Sequence, residues 1–296
     1  MGRRPPGSRR SRSFGGGRGT RGDEYRVRRF MTIAASALGV VVLIGALVWF
    51  GQRRLLYLPD RSLPEPPEWV EPSSFTTDDG ISHTAWVIGG GLDPVATVVV
   101  FNGNAGDRAD RLPLARRLAE AGMDVVLFDY RGYGDTDGSP DQEGLLADAV
   151  AASRLASGLA NRPLVYLGES LGAAVATGVS SMLPPDGLVL RSPFISIVDE
   201  ARLHYGPVPA WLVRDRWPVR DWAAEVAVPS AVVIGSRDEI VPPDHSRKVA
   251  RVLGARIFEV EAGHNDPDLT SGARLVDAVM AVIEQAGDAD GLSGPG

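Results

Sequence analysis

Residues 164–178 of the 296-residue chain read LVYLGESLGAAVATG. The apolar run at the start predicts a short buried strand, and the small residues at the end predict a helix that packs closely on it. Between them, Gly168 and Gly172 flank Ser170 in a Gly-x-Ser-x-Gly pattern. That pattern is typical of a sharp strand-to-helix turn that presents a nucleophilic serine, because the two glycines leave room for the bend. An ordinary strand-to-helix turn is the alternative interpretation.

Strands and helices alternate on both sides of this turn. Buried strands are predicted at 97–101, 124–128, 164–167, 187–190, 231–234 and 256–260. Helices are predicted at 112–121, 145–159 and 275–285, with a further helix from Leu171. Strands separated by helices imply right-handed crossovers and a mostly parallel sheet flanked by helices, in an α/β domain over residues 73–285. Residues 83–88 predict an antiparallel strand at the sheet edge.

A serine hydroxyl needs a base at neutral pH, and four histidines are available. His264 follows the last predicted strand, in the stretch AGHND. The other three are His83, His204 and His245. In serine hydrolases that use a strand–turn–helix nucleophile, the order along the chain is serine, acid, then histidine. His264 is therefore the predicted general base.

The acid that orients the base is expected between the serine and the histidine. Asp238 lies in SRDEIVP, directly after the predicted strand at 231–234, so it emerges at the same sheet edge as Ser170 and His264. Its task is to accept the imidazole N–H and stabilise the imidazolium. Glu239 is a local alternative, otherwise a solvated loop charge.

Two backbone donors are expected for the oxyanion of the transition state. The N–H of Leu171, just after the nucleophile, is the first. The second is expected in the glycine-rich loop NGNAG at 102–106, which directly follows the strand TVVVF. Within this loop, the N–H of Asn104 is the predicted donor.

Five ordered motifs resemble those of the α/β-hydrolase superfamily, most closely its bud-emergence-type, single-span, membrane-anchored serine hydrolases. They are FNGNAGDR at 101–108, FDYRGYGDTDGSP at 128–140, LGESLGAAVA at 167–176, GSRDEIVPP at 235–243 and AGHND at 262–266. The resemblance implies the same roles for Ser170, Asp238 and His264. It also implies that no metal and no organic cofactor take part. Such relatives usually carry His-Gly-Asn-Ala in the first motif, where this chain has Asn102.

The amino-terminal region predicts a membrane anchor. Residues 1–30 hold ten arginines against one aspartate and one glutamate and predict a disordered basic tail. Residues 31–50 carry no charge, and twenty residues of helix match the ~30 Å hydrocarbon core of a bilayer. A cleavable signal peptide is the alternative. The excess of arginine before the span predicts a cytoplasmic amino terminus and an extracytoplasmic catalytic domain.

Three further segments have their own predictions. Residues 51–72 contain five prolines and predict a stiff, extended spacer. Residues 194–228 predict a short lid, whose aromatic residues would form an apolar inner face over the cleft. These residues are Tyr205, Trp211, Trp217 and Trp222. An alternative is that they seal the lid to the body. Residues 286–296 predict a flexible tail.

These patterns together predict a serine hydrolase that cleaves a carboxylic ester or thioester of a small or lipid-like molecule through an acyl-enzyme on Ser170. An acyltransferase or a peptidase using the same residues, and a non-catalytic binding protein, are the alternatives. The chain has no cysteine, which excludes a cysteine nucleophile and a thiolate zinc site. The body of the chain is acidic, which argues against nucleic acid as a partner. The sequence leaves the oligomeric state open.

Overall fold

A computed structural model describes residue 2 and residues 20–62, 64–159 and 162–291. The chain divides into two compact units, residues 1–50 and residues 51–296. The first unit is built on helix α1, which begins at Thr20 and continues to Leu56 in the second unit. Part of α1, Glu24–Leu56, is long and apolar enough to cross a membrane.

An eight-stranded sheet organises the second unit. Its strands are β1 Glu71–Thr76, β2 Ser82–Ile88, β3 Ala96–Phe101, β4 Met123–Phe128, β5 Leu164–Glu169, β6 Gly187–Arg191, β7 Ser230–Gly235 and β8 Arg256–Val260. Their order across the sheet is β8-β7-β6-β5-β3-β4-β2-β1. β1 and β2 pair antiparallel with each other, and β2 pairs antiparallel with β4. The other neighbours are parallel. The predicted α/β fold with a mostly parallel sheet is therefore confirmed.

Helices cover both faces of this sheet. They are α2 Leu112–Glu120, α3 Gln142–Leu159, α4 Leu171–Met182, α5 Ile197–Tyr205, α6 Val219–Ala223, α7 Pro243–Leu253, α8 Pro267–Thr270 and α9 Ala273–Gly291. All six residues of the central strand β3 are buried, because a parallel sheet covered on both faces leaves no solvated side.

Alternate residues of the strands feed two separate apolar cores. In β3, Val99 and Phe101 belong to the core beneath α3, α4, α6 and α7. Val98 and Val100 point the other way, into the core beneath α2 and α9. This period of two residues follows from strand geometry, in which successive side chains point to opposite faces.

The ends of the chain are more helical than the sequence predicts. Of the predicted disordered tail, residue 1 and residues 3–19 lie outside the described residues, but α1 already begins at Thr20. Propagating an existing helix is far easier than nucleating one, so the apolar span extends into its charged flank. Likewise α9 continues to Gly291, through half of the predicted flexible tail, and residues 292–296 lie outside the described residues.

The predicted extended spacer at 51–72 differs from the structure at both ends. Its first six residues are the last turns of α1, and Tyr57 is buried in the domain core. Leu58–Pro59 then pairs in parallel with Ala105–Gly106. At the other end, Glu71 and Pro72 begin the edge strand β1, which the sequence analysis missed. Pro72 is compatible with this edge position, because an edge strand has free backbone groups on one side and the missing N–H of a proline is tolerated there.

Candidate active site

Ser170 lies between β5 and α4 with φ 53° and ψ −111°, a conformation that non-glycine residues rarely adopt. Both neighbouring glycines are required. A Cβ on Gly172 would overlap the carbonyl oxygen of Phe101, and one on Gly168 would overlap the carbonyl oxygen of Gly172. The turn therefore brings α4 close to β3 and turns the serine out of the sheet.

Asp238 and His264 form a hydrogen-bonded pair. Oδ2 of Asp238 lies 2.7 Å from Nδ1 of His264, and both residues are buried. Oδ1 of Asp238 accepts the backbone N–H groups of Ile240 at 3.0 Å and Val241 at 2.8 Å. Because the carboxylate faces Nδ1, the imidazole proton belongs on Nδ1, and Nε2 remains free to accept a proton.

The environment of Asp238 favours its charged form. Burial by itself raises the pKa of this carboxyl. The hydrogen bond and charge of His264, the N–H of Val241 and the hydroxyl of Ser192 together outweigh burial, so the pKa lies below its ordinary value. The carboxylate is therefore held ionised beside the imidazole.

Ser192 is a site residue that the sequence analysis missed. It follows β6 directly and has φ 48°, and its Oγ donates a 2.8 Å hydrogen bond to Oδ2 of Asp238. The local sequence RSPF carries no catalytic pattern. The available signal was topological, because residues that follow neighbouring parallel strands emerge at the same sheet edge.

Ser170 and His264 line one cavity of about 610 Å³. Within the described part of the chain, the structure has no hydrogen bond between these two side chains. Such contacts are often long in the absence of a substrate and tighten in the complex. Asn104, Leu58 and Ile240 also line the cavity. The sequence-predicted serine and histidine thus open into a common space, and Asp238 lies behind the histidine.

The backbone amides of the two predicted oxyanion donors have no partner in the described part of the chain. Neither the N–H of Asn104 nor the N–H of Leu171 donates a hydrogen bond to another residue that the structure describes. Asn102 begins the same loop and stabilises it with two hydrogen bonds. The side-chain Nδ2 of Asn102 donates to the backbone carbonyl oxygen of Phe128 at 2.8 Å. The backbone carbonyl oxygen of Asn102 accepts a hydrogen bond from the hydroxyl of Tyr130 at 3.1 Å.

The sequence analysis also missed two arginines near Ser170. Arg111 donates from Nε to Glu169 at 3.1 Å, and Arg191 lies 3.7 Å from the same carboxylate. Nη1 of Arg191 donates to the carbonyl oxygen of His264 at 2.9 Å. Burial lowers the pKa of Arg191, although the charge of Glu169 opposes this effect. Arg111, Arg191 and Glu169 thus connect the loop that contains His264 to the end of β5, next to Ser170.

The predicted lid differs from the structure. Residues of the 194–228 segment do not line the cavity that contains Ser170. Trp217 and Trp222 pack edge to face in the domain core, with centroids 6.1 Å apart. Tyr205 and Trp211 are 79% and 69% exposed. The four aromatic residues therefore form no common inner face over the cavity: Trp217 is buried, Trp222 is partly buried against the domain core, and the other two are exposed.

Among the residues that the structure describes, no group of three or more His, Cys, Asp or Glu side chains is placed to hold a metal ion.

Comparison with known proteins identifies the fold family. The chain is 31% identical over 251 residues to the alpha/beta hydrolase domain-containing protein WAV2 of Arabidopsis thaliana, covering 74% of this chain and 80% of WAV2. The chain belongs to the α/β-hydrolase superfamily. The model of the family described as serine aminopeptidase S33 matches residues 93–218 of this hydrolase.

Two other relatives extend this comparison. This hydrolase is 40% identical to protein Rv2307c of Mycobacterium tuberculosis, over 86% of this chain and 93% of the relative. It is 38% identical to the lysophosphatidylserine lipase ABHD12 of Danio rerio, but over only 42% of this chain and 34% of that lipase.

Solved structures share the fold. The Pyrococcus furiosus esterase Pf2001 has a TM-score of 0.63 and 19% identity, covering 78% of this chain and 98% of the esterase. A thioesterase domain from the curacin biosynthetic pathway has a TM-score of 0.55 and 17% identity, covering 71% of this chain and 99% of that domain.

Proposed function

We propose that this hydrolase cleaves carboxylic esters or thioesters through an acyl-enzyme on Ser170. The observation that carries the proposal is the 2.7 Å contact between Asp238 and His264, whose imidazole shares a cavity with Ser170. The unpaired amides of Asn104 and Leu171 support it, because a developing oxyanion needs such donors. Esterases and a thioesterase among the proteins of the same fold agree with this chemistry.

The reaction runs in two steps. Nε2 of His264 takes the hydroxyl proton as Oγ of Ser170 attacks the substrate carbonyl, and Asp238 stabilises the imidazolium. The N–H groups of Asn104 and Leu171 bind the oxyanion. The C–O or C–S bond then breaks, the leaving group takes the proton from His264, and the acyl-enzyme remains. Water, deprotonated by His264, attacks this ester and releases the carboxylic acid and the free serine.

The substrate is a small or lipid-like acyl compound. The side chains of Leu58, Pro113, Leu114 and Ile240 give the cavity an apolar part, suited to an acyl group. The lysophosphatidylserine lipase among the relatives supports a lipid-like substrate. The apolar helix α1 supports the same class, because a protein held at a bilayer meets lipids at high local concentration.

We further propose that α1 anchors the protein in a membrane, with the amino terminus in the cytoplasm and the catalytic domain on the opposite side. The apolar stretch of α1 and the excess of arginine before residue 31 support this arrangement. An accessibility assay with a membrane-impermeant reagent on single-cysteine variants at residues 10 and 290 tests it. Labelling of position 10, rather than 290, in intact cells contradicts the orientation.

The catalytic assignment is tested by fluorophosphonate labelling and by hydrolysis of p-nitrophenyl esters and acyl-thioesters of graded chain length. Ser170→Ala is expected to abolish both labelling and hydrolysis. Ser271→Ala, which removes a different hydroxyl from the same cavity, is the matched control and is expected to keep both. Labelling that persists in Ser170→Ala refutes the assignment.

A peptidase is the second candidate, because the matched family is described as a serine aminopeptidase. The same nucleophile and base cleave amides by the same steps, with an amine as leaving group. Amino-acid p-nitroanilides compared with the matching p-nitrophenyl esters separate the two candidates. A kcat/KM for the anilide that equals or exceeds that for the ester favours the peptidase.

A further inference from the structure

The segment here named the strap comprises residues 52–60, which are the end of α1 and the four residues after it. Its first part is fastened to the 212–217 region. The side chain of Gln52 donates to the carbonyl oxygen of Leu212 at 3.1 Å and accepts the N–H of Arg214 at 2.8 Å. Because the amide of Gln52 pairs with a backbone carbonyl and a backbone N–H two residues apart, it fixes the position of the 212–214 segment relative to the end of α1.

Charged and aromatic contacts continue this attachment. Arg53 contacts both carboxylate oxygens of the buried Asp215, at 2.8 and 2.9 Å. The hydroxyl of Tyr57 donates to the same carboxylate at 3.1 Å and accepts Nε1–H of Trp217 at 3.2 Å. Bidentate arginine–carboxylate pairs are geometrically specific, so this end of the strap has one defined position.

The second part of the strap contacts the 102–106 loop of the candidate oxyanion hole. The N–H of Leu58 donates to the carbonyl oxygen of Asn104 at 2.8 Å, and Nδ2 of Asn104 donates to the carbonyl oxygen of Leu56 at 3.0 Å. The N–H of Asp60 donates to the carbonyl oxygen of Gly106 at 3.2 Å. Three hydrogen bonds thus join two segments that lie more than forty residues apart in the chain.

Besides its contacts with Leu56 and Leu58, Asn104 forms a third hydrogen bond. The hydroxyl of the buried Tyr133 donates to its carbonyl oxygen at 2.9 Å. The carbonyl and the side chain of Asn104 are therefore both occupied. Its N–H alone has no partner among the described residues, and Asn104 lines the cavity of Ser170.

We propose that the strap is a positioning element of the active site, which together with Tyr133 orients the N–H of Asn104 toward the oxyanion. This inference rests on the proposed function of Ser170. A donor that is fixed in advance needs no reorganisation when charge develops, so its orientation contributes to the rate and little to ground-state binding. The end of α1 and the residues after it thereby take part in positioning a catalytic donor.

Full-length variants in detergent test this proposal by steady-state kinetics and by the rate of fluorophosphonate labelling. Tyr133→Phe removes one hydroxyl, and Asn104→Ala removes the side-chain contact to Leu56 while keeping the N–H. Each is expected to lower kcat about 3- to 30-fold with KM changed less than about 2-fold, below the ~100- to 1,000-fold effect of losing a whole donor. Tyr166→Phe is the matched control, because the hydroxyl of this buried tyrosine has no hydrogen bond to residues 102–106.

The strap itself is tested at Leu58. Leu58→Pro removes the N–H that donates to Asn104, and Leu58→Ala keeps that N–H while trimming a side chain that lines the cavity. The proline variant is expected to lower kcat and the rate of labelling. The alanine variant is expected to change KM more than kcat.

The outcomes separate this proposal from the proposed function. Unchanged kcat and labelling in both Tyr133→Phe and Asn104→Ala overturn the positioning role, even while Ser170→Ala remains inactive. If the wild-type protein is not labelled at all, the proposed function fails and the inference fails with it. A proline variant that does not fold leaves the decision to the other two variants, whose melting temperatures are expected to stay close to that of Tyr166→Phe.

Discussion

Oγ of Ser192 donates a hydrogen bond of 2.8 Å to the same oxygen of Asp238 that contacts the imidazole of His264. Ser192 adopts a φ of 48°, at which an L-residue with a Cβ is strained and glycine is not. A glycine would avoid the strain, but it has no hydroxyl to donate to Asp238. This hydrogen bond is therefore a physical reason for a serine at position 192. We therefore treat Ser192 as a positioning residue for the carboxylate.

Removing this hydroxyl is expected to lower kcat/KM about 3- to 10-fold, in line with the ~0.5–1.5 kcal/mol of an ordinary hydrogen bond. Ser192→Ala and Ser192→Gly both lack the donor and are expected to lose activity equally. They differ in backbone strain. The free energy of unfolding of Ser192→Gly is expected to exceed that of Ser192→Ala by about 1 kcal/mol, because glycine adopts the left-handed conformation without strain. Kinetics and thermal unfolding measure the two effects separately.

The same variants are expected to change the pH dependence of activity. The hydroxyl of Ser192 is one of the donors that lower the pKa of Asp238, so without it this pKa rises and the low-pH limb of the kcat/KM profile moves to higher pH. A profile that coincides with wild type in both variants, together with full activity, shows that the hydroxyl of Ser192 plays no part in positioning.

Asp238 is also expected to influence stability as a function of pH. Its pKa is lowered in the folded protein, so the unfolded state binds more protons between the folded value and the ordinary value near ~3.9. This stabilisation is complete above about pH 5 and is lost as the pH falls through the folded pKa. The stability difference between wild type and Asp238→Asn is therefore expected to narrow from about pH 6 to about pH 3. Glu239→Gln, which alters the adjacent exposed carboxylate, is the control in thermal unfolding across this range.

The close approach of α4 to β3 predicts that Gly172 does not tolerate a larger residue. The added methyl of Gly172→Ala overlaps the carbonyl oxygen of Phe101, so we expect a loss of about 3 kcal/mol or more, or failure to fold. Gly89→Ala adds the same methyl where no atom lies within 4 Å and is expected to stay within about 0.5 kcal/mol of wild type. Similar melting temperatures for the two variants contradict the steric account.

The attachment of the strap predicts an effect of Asp215 on stability. Asp215→Asn removes the bidentate carboxylate partner of Arg53 and weakens the acceptor for Tyr57. Arg53 keeps its 3.2 Å contact with Asp141. We expect a loss of about 1–3 kcal/mol, limited because Arg53 is partly solvated. Asp221→Asn, which neutralises an exposed carboxylate six residues later, is the control and is expected to be nearly neutral. Equal melting temperatures for the two variants indicate that the contact between Arg53 and Asp215 does not hold the strap in place.

Local patterns were enough to predict the fold and to select Ser170, Asp238 and His264 as candidates. Strands such as β3 and β5 are continuous apolar runs, and the glycines around Ser170 mark a turn whose geometry is determined within five residues. Parallel strands place their carboxyl ends at one edge, so the chain order alone predicts that Asp238 and His264 emerge together. The 2.7 Å hydrogen bond between them is a finding of the tertiary structure.

Other features depend on segments that are distant along the chain and whose partners the sequence does not name. The prolines of residues 51–72 indicate an extended spacer, but its first residues find partners in Asp215 and Asn104 and become part of the domain. Of the aromatic residues at 194–228, only packing against the body decides that Trp217 is buried and Trp211 exposed.

The sequence by itself therefore determined the α/β class, the strained turn at Ser170 and the loops that carry Asp238 and His264, because these follow from short-range geometry and strand order. Only the tertiary structure decided that Ser192 contacts Asp238, that Arg191 holds the carbonyl of His264 and that the strap supports Asn104. Each of these contacts joins residues more than forty positions apart, and its existence depends on how the whole chain packs.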